Sequence, residues 1–115
     1  MQNITNSLII PCFNEALGIE KTLEEILLAL NGLNDLEIIA VDDGSRDATF
    51  PILEKFASQT SNIRVLQNTS NCGYGASLKR GILEAKGEKI IITDSDGTYP
   101  ASAIPRLLAE SREYD

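Results

Sequence analysis

Four short apolar runs, each parted from the next by a stretch with helical spacing, constrain this 115-residue chain more than any other feature. "SLIIP" (7–11), "LEIIAVD" (36–42) and the runs at 63–67 and 89–93 are mostly apolar, as strands buried on both faces are. Between the first two, Ile19, Leu23, Ile26, Leu27 and Leu30 recur at helical spacing, and Asn31-Gly32 supplies a stop. A second helix is expected from Asp47 or Ala48, with Ser45 and Asp47 as caps and Pro51 in its first turn. A third is expected over 76–85, with Leu78 and Ile82 inward, and a fourth over 102–111. Strands alternating with helices predict an α/β fold with a mostly parallel sheet and right-handed crossovers. Ligands of such sheets sit beyond the carboxyl ends of the strands, where strand order switches.

Composition narrows the chemistry. A net charge of -7 disfavours a nucleic-acid partner, which needs a basic face for phosphates. It leaves room for a nucleotide ligand, because a divalent cation can neutralise carboxylate and phosphate together. The chain has no histidine and two cysteines, Cys12 and Cys72, so a zinc site is disfavoured and free thiols in a reducing cytosol are expected. No secretory signal opens the chain and no run approaches the ~20 apolar residues of a membrane span, so a cytoplasmic location is expected.

Acidic residues follow three of the four strands: Glu15 the first, Asp42 and Asp43 the second, Asp94 and Asp96 the fourth. In "PCFNEA", Asn14 and Glu15 either cap the next helix or place Glu15 against a ligand. In "VDDGSRDAT", a turn and helix start account for Gly44, Ser45 and Asp47, but not for two adjacent carboxylates at a buried strand end. Such an acid can accept hydrogen bonds from a base or ribose. "NTSNCGYGASLKRGILEAKGE" places Gly73 and Gly75 for a tight loop near a ligand, and Gly81 inside a helix, where close packing on the sheet would excuse it. Lys79 and Arg80 read as solvated, with a diphosphate contact open to one of them. In "IIITDSDGTYP", a turn at Asp96-Gly97 can bring Asp94 and Asp96 to one hard cation, Mg²⁺ or Mn²⁺.

That last stretch alone resembles the first motif of haloacid-dehalogenase-like phosphatases, in which Asp94 would be the nucleophile and Asp96 the general acid/base. Its place after the fourth strand argues against that, because the motif normally ends a first strand. Taken together, "PCFNE", "VDDGSRDAT", "NCGYGASLKRGILEAKGE" and "DSD" resemble family-2 glycosyltransferases of the GT-A fold, in order and nearly throughout the chain. The nearest likeness is to polyprenyl-phosphate sugar transferases of the dolichol-phosphate mannose synthase type.

The resemblance implies a Rossmann-like sheet and makes residues 1–115 the N-terminal, nucleotide-sugar-binding half of one GT-A domain. Pro11, Phe13, Glu15, Val41, Asp43, Ser77, Asp94 and Ser95 would bind a UDP- or GDP-sugar, with Asp42 supporting them. Asp94 and Asp96 would hold Mg²⁺ or Mn²⁺. It assigns no catalytic residue to this stretch, which would be inactive alone. It implies inverting transfer to an acceptor such as a polyprenyl phosphate, at the cytoplasmic face of a membrane. Thr98 stands where many relatives carry glutamine, and Gly97 where an apolar residue is common. A half-sheet would also expose an edge through which copies self-associate. A non-catalytic nucleotide-binding module is the remaining alternative.

Overall fold

The computed structural model describes residues 4–95 and 104–105. In chain order the elements are β1 (Asn6–Cys12), α1 (Ile19–Ala29), β2 (Leu36–Asp42), α2 (Thr49–Gln59), β3 (Ile63–Gln67), α3 (Tyr74–Glu84) and β4 (Lys89–Ile92). Every strand pairing is parallel and the order is β3-β2-β1-β4. The chain thus steps outward from β1 to β3, then returns through α3 to the other side of β1. Strand order switches at β1, and the cleft described below opens there.

Two apolar layers hold the sheet. Leu8, Ile10, Ile38 and Ala40 point to one face and pack with Ile19, Leu23 and Ile26 of α1 and Leu53 of α2. Ile104 joins this cluster, fully buried. Ile9, Ile39 and Val41 point to the other face, under Leu78 of α3 and Ala85 just past its end. Each such aliphatic side chain, fully buried, contributes roughly 1.5–3 kcal/mol. Gly81 lets α3 settle on the second layer, since a Cβ there would lie 2.6 Å from Ile9 Cγ2. Close packing is therefore the reason for a glycine inside this helix.

Several local expectations change. α3 starts at Tyr74, directly after Gly73 (φ 101°), and Gly75 is an ordinary residue of its first turn with open space around its Cα. Ile82 is 40% exposed rather than inward, because Ser77 and Gly81 form the buried stripe of α3. On the same edge of the sheet, Ile90 and Ile92 of β4 are also partly exposed. Arg80 is not simply solvated: its Nη1 donates to Gln67 O and to Asn68 Oδ1, tying α3 to the end of β3. The expected fourth helix lies outside the described residues except for Ile104 and Pro105, which are helical. Among the described residues no helix is long and apolar enough to cross a membrane.

At the opposite, amino-terminal end of the strands, the buried Glu37 carboxylate fixes the approach to β4. Its Oε2 accepts from Ser7 Oγ and Lys86 N, both at 2.6 Å, and Ser7 Oγ accepts from Gly87 N at 2.9 Å. Arg64 supplies the counter-charge at 3.6 Å from Glu37 Oε1. These bonds set where β4 begins, and so where Asp94 emerges two residues past its end.

Candidate functional site

The site begins with a proline. Pro11 sits in a central strand, where a missing N–H normally costs a ladder bond. β1 and β4 pair only as far as Ile9↔Ile92, with a last bond from Thr93 N to Ile9 O at 3.1 Å. Pro11 follows Ile9 by two residues, so its nitrogen faces the β4 side just beyond that pairing. β1 continues beside β2 to the pair Cys12↔Asp42, while β4 has already diverged. An open cleft of about 450 Å³ forms in the gap, lined by Pro11, Cys12, Phe13, Glu15, Asp43, Asn71, Gly73, Tyr74, Ser77, Asp94 and Ser95.

The cleft gathers seven of the residues singled out from sequence: Pro11, Phe13, Glu15, Asp43, Ser77, Asp94 and Ser95. Val41 is not among the lining residues. Its side chain is fully buried between Ile9, Ile39 and Gly81, because β2 turns it toward α3 rather than toward the strand end. Asp96, the second expected metal ligand, lies outside the described residues, as do Gly97 and Thr98. Gly73, expected in a tight loop near a ligand, lines the cleft too, whereas Asn71, Tyr74 and Cys12 went unremarked as cleft residues. Tyr74 is 56% and Phe13 42% exposed, two rings at the mouth of one cleft. An aromatic beside the glycine of a loop that precedes a helix was the available signal for Tyr74.

Asp42 and Asp43 avoid each other by facing different partners. Asp42 is fully buried; its Oδ2 accepts from Ser45 N at 3.2 Å, and Oδ1 has no hydrogen-bond partner among the described residues. Asp43 reaches into the loop before α3. Its Oδ1 accepts from Asn68 Nδ2 at 2.9 Å and Cys72 N at 2.8 Å, and its Oδ2 from Gly73 N at 2.9 Å. Burial opposes its charge, but the bonds from Cys72, Asn68, Gly73 and Ser77 outweigh that and hold its carboxyl below the usual value. Asp43 is therefore an anion that shapes the floor of the cleft.

The first two motifs grip each other rather than capping helices. Asn14 (φ 51°) donates from its backbone to Ser45 Oγ and accepts through Oδ1 from Arg46 N, both at 2.9 Å. Glu15 N donates to Thr49 Oγ1 at 2.8 Å, and Ala16 N to Asp47 Oδ2 at 3.1 Å. The expected capping roles of Asn14, Glu15 and Ser45 are thus corrected: α1 is preceded by Gly18 and α2 by Ala48, neither with a side-chain cap. Asp47 does bond Thr49 N, at 2.9 Å, while holding the 14–16 turn with its other oxygen. Gly44 (φ 71°) lets the 70–71 backbone pass, since a Cβ there would meet Ser70 C at 2.6 Å.

Three carboxylates from three strand ends, Glu15, Asp43 and Asp94, line the cleft, and among the described residues no lysine or arginine does. Among the described residues no three His, Cys, Asp or Glu side chains cluster tightly enough to hold an ion alone. This donor set suits a hard cation shared with phosphate oxygens, the usual mode for Mg²⁺, better than a cage made by protein alone. Cys12 does not compete for such an ion. Burial, reinforced by the charge of Asp42, pushes its thiol up to about 12.

A parallel sheet with apolar layers on both faces and an acidic, aromatic-rimmed cleft at its strand-order switch defines an open α/β protein, the architecture whose ligands sit beyond the carboxyl ends of the strands. The particular family follows from sequence: residues 7–115 match the model for glycosyl transferase family 2, and the chain belongs to that family. It is 34% identical over 107 residues to a dolichol-phosphate mannosyltransferase of Mycosarcoma maydis, covering 89% of this chain and 36% of that protein. It is 36% identical over 105 residues to a dolichyl-phosphate beta-glucosyltransferase of Dictyostelium discoideum, covering 84% and 32%. Among solved structures, the mannosyltransferase PcManGT of Pyrobaculum calidifontis, in complex with GDP-Man and Mn²⁺, superposes with a TM-score of 0.77 at 28% identity, covering 90% of this chain and 30% of that one. S. aureus TarS 1-349 in complex with UDP-GlcNAc superposes with a TM-score of 0.80 at 28% identity, covering 96% and 32%. The chain spans about a third of the length of the curated relatives it matches. The family match leaves the phosphatase alternative, with Asp94 as nucleophile, without support.

Proposed function

We propose that this chain is the donor-binding, N-terminal part of a GT-A glycosyltransferase domain and holds a nucleotide-diphosphate sugar in the cleft between β1 and β4. The observation that carries this is the meeting of Glu15, Asp43 and Asp94 in one open cleft that no basic side chain lines among the described residues. A diphosphate entering there meets the like charge of these three carboxylates, which an accompanying divalent cation would offset. Asp94, with Asp96, would hold Mg²⁺ or Mn²⁺, whose bound charge would stabilise the leaving diphosphate. Phe13 and Tyr74 offer faces for the base, and the Gly73–Ser77 turn offers close backbone approach.

The sugar would pass with inversion to an acceptor supplied outside these residues. The names of the relatives favour a polyprenyl phosphate, an anion that needs no strong protein base, and the chain has no histidine. Calorimetric titration with UDP and GDP, with and without Mn²⁺, tests the reading on wild type and Asp94→Ala. It predicts metal-dependent binding of a nucleotide, weakened at least about tenfold in the variant. Binding indifferent to metal and to Asp94 would contradict it.

A further inference from the structure

Resting on that reading, we propose that Thr49, which does not line the cleft, positions the Glu15 carboxylate for the nucleotide, acting with Asp47 through the backbone of the 14–16 turn. Thr49 is fully buried at the first position of α2. Its Oγ1 accepts from Glu15 N at 2.8 Å and donates to Asp47 Oδ1. That carboxylate oxygen also accepts from Thr49 N at 2.9 Å, while Asp47 Oδ2 accepts from Ala16 N at 3.1 Å. One threonine and one aspartate therefore hold two consecutive peptide groups of the loop after β1.

With Asn14 N on Ser45 Oγ, three successive N–H groups of this loop end on side-chain oxygens of the 45–49 turn. In dinucleotide-binding folds the loop after the first strand offers its N–H groups to a pyrophosphate. Here the N–H groups of residues 14–16 are taken up inside the protein. What this loop presents to the cleft is side chains, Phe13 and Glu15.

A glutamate side chain turns about several torsions, so a defined contact with a ligand requires that its backbone be held first. Glu15 is held at both ends. Its N–H ends on Thr49 Oγ1, and its carbonyl accepts from Gly18 N at 3.0 Å and Ile19 N at 2.8 Å, the entry to α1. The Thr49 hydroxyl proton is committed to Asp47, which turns the lone pairs of Oγ1 toward Glu15 N. Valine in place of Thr49 keeps the shape and removes this link, whereas serine keeps the link.

Thr49 is by this argument a positioning residue, and a double-mutant cycle in the 115-residue chain tests it. UDP and GDP, each with Mn²⁺, are titrated into wild type, Thr49→Val, Glu15→Gln and the double variant, with Thr49→Ser as the conservative rescue. The nucleotide that wild type binds more tightly is expected to bind at least about fivefold more weakly to Thr49→Val, and within about twofold of wild type to Thr49→Ser. Glu15→Gln is expected to weaken binding at least as much, and Thr49→Val added to it to weaken binding by less than about twofold more. A threonine that only supports the fold would weaken binding by the same factor in both backgrounds. Equal factors, a folded Thr49→Val that binds as wild type does, or an unchanged affinity in Glu15→Gln would each overturn the positioning role while leaving the nucleotide-sugar reading intact. Should Thr49→Val not fold, Asp47→Ala, at an exposed position, takes its place in the cycle with the same expectation. Binding of no nucleotide by folded wild type would overturn both readings.

Discussion

Asn14 and Arg46, 32 residues apart, share a hydrogen bond of 2.9 Å from the Arg46 backbone N–H to Asn14 Oδ1. With the return bond from Asn14 N to Ser45 Oγ, it closes the turn after β1 onto the turn after β2. Asn14 sits at φ 51°, a region asparagine tolerates and β-branched residues do not. Asn14→Val is therefore expected to lose about 2–4 kcal/mol of stability, from strain and from unpaired backbone groups. Asn14→Gly should lose less than half of that. Urea denaturation of the two variants checks the order.

Two glycines of α3 are expected to respond in opposite directions. Gly75 faces open space, so Gly75→Ala should stabilise by about 0.4–1 kcal/mol through helix propensity and a stiffer unfolded chain. Gly81 sits over Ile9 Cγ2 and Val41 Cγ2, at 2.6 and 3.3 Å from a built Cβ. Gly81→Val should destabilise by about 1–3 kcal/mol through overpacking. Thermal melts of both variants beside wild type decide this.

Acid should weaken the fold through Asp43. Its carboxyl lies below the ordinary value of 3.8 when folded, so the folded state holds its charge more readily than the unfolded chain does. The resulting stabilisation is fully present well above pH 3.8 and is lost as pH falls through the lower, folded value. Asp47, held low first by its bond from the Thr49 hydroxyl, adds in the same direction at an exposed position. Denaturation midpoints between pH 6 and pH 3 should fall more steeply for wild type than for Asp43→Asn. Parallel curves would contradict the assignment.

The two thiols should separate cleanly. Cys12 is buried, with its ionisation pushed up to about 12, whereas Cys72 is exposed. A thiol-reactive chromophore at pH 8 should label one cysteine in native protein, the second only after denaturation, and none rapidly in native Cys72→Ser.

How much of this was legible in sequence differs by length scale. The strands were, because runs such as "LEIIAVD" are apolar on both faces of a parallel sheet and bear no other reading. So was the cleft edge, because strand ends of a parallel sheet converge and three of them carry acids. The roles of Ser45 and Asp47 were not, because their oxygens serve the 14–16 backbone and no local pattern displays a partner 31 residues away. The resemblance separates Asp43 from a supporting Asp42, but the residues alone do not show that one is sealed beneath the Ser45 turn while the other organises the loop before α3. Val41 illustrates the same limit. Asp43, two residues on, reaches the cleft, while Val41 packs into the core between β2 and α3.

The central claim is that a nucleotide diphosphate occupies the gap that opens where β1 and β4 part. Amide chemical-shift mapping of the ¹⁵N-labelled chain, titrated with UDP and Mg²⁺, locates the ligand directly. The account predicts saturable shifts concentrated at Cys72, Gly73, Ser77, Asp94 and Ser95, with Lys86 and Gly87 at the far end of the sheet unmoved. Shifts confined to residues outside the cleft, or none at millimolar UDP with Mg²⁺ present, would contradict it.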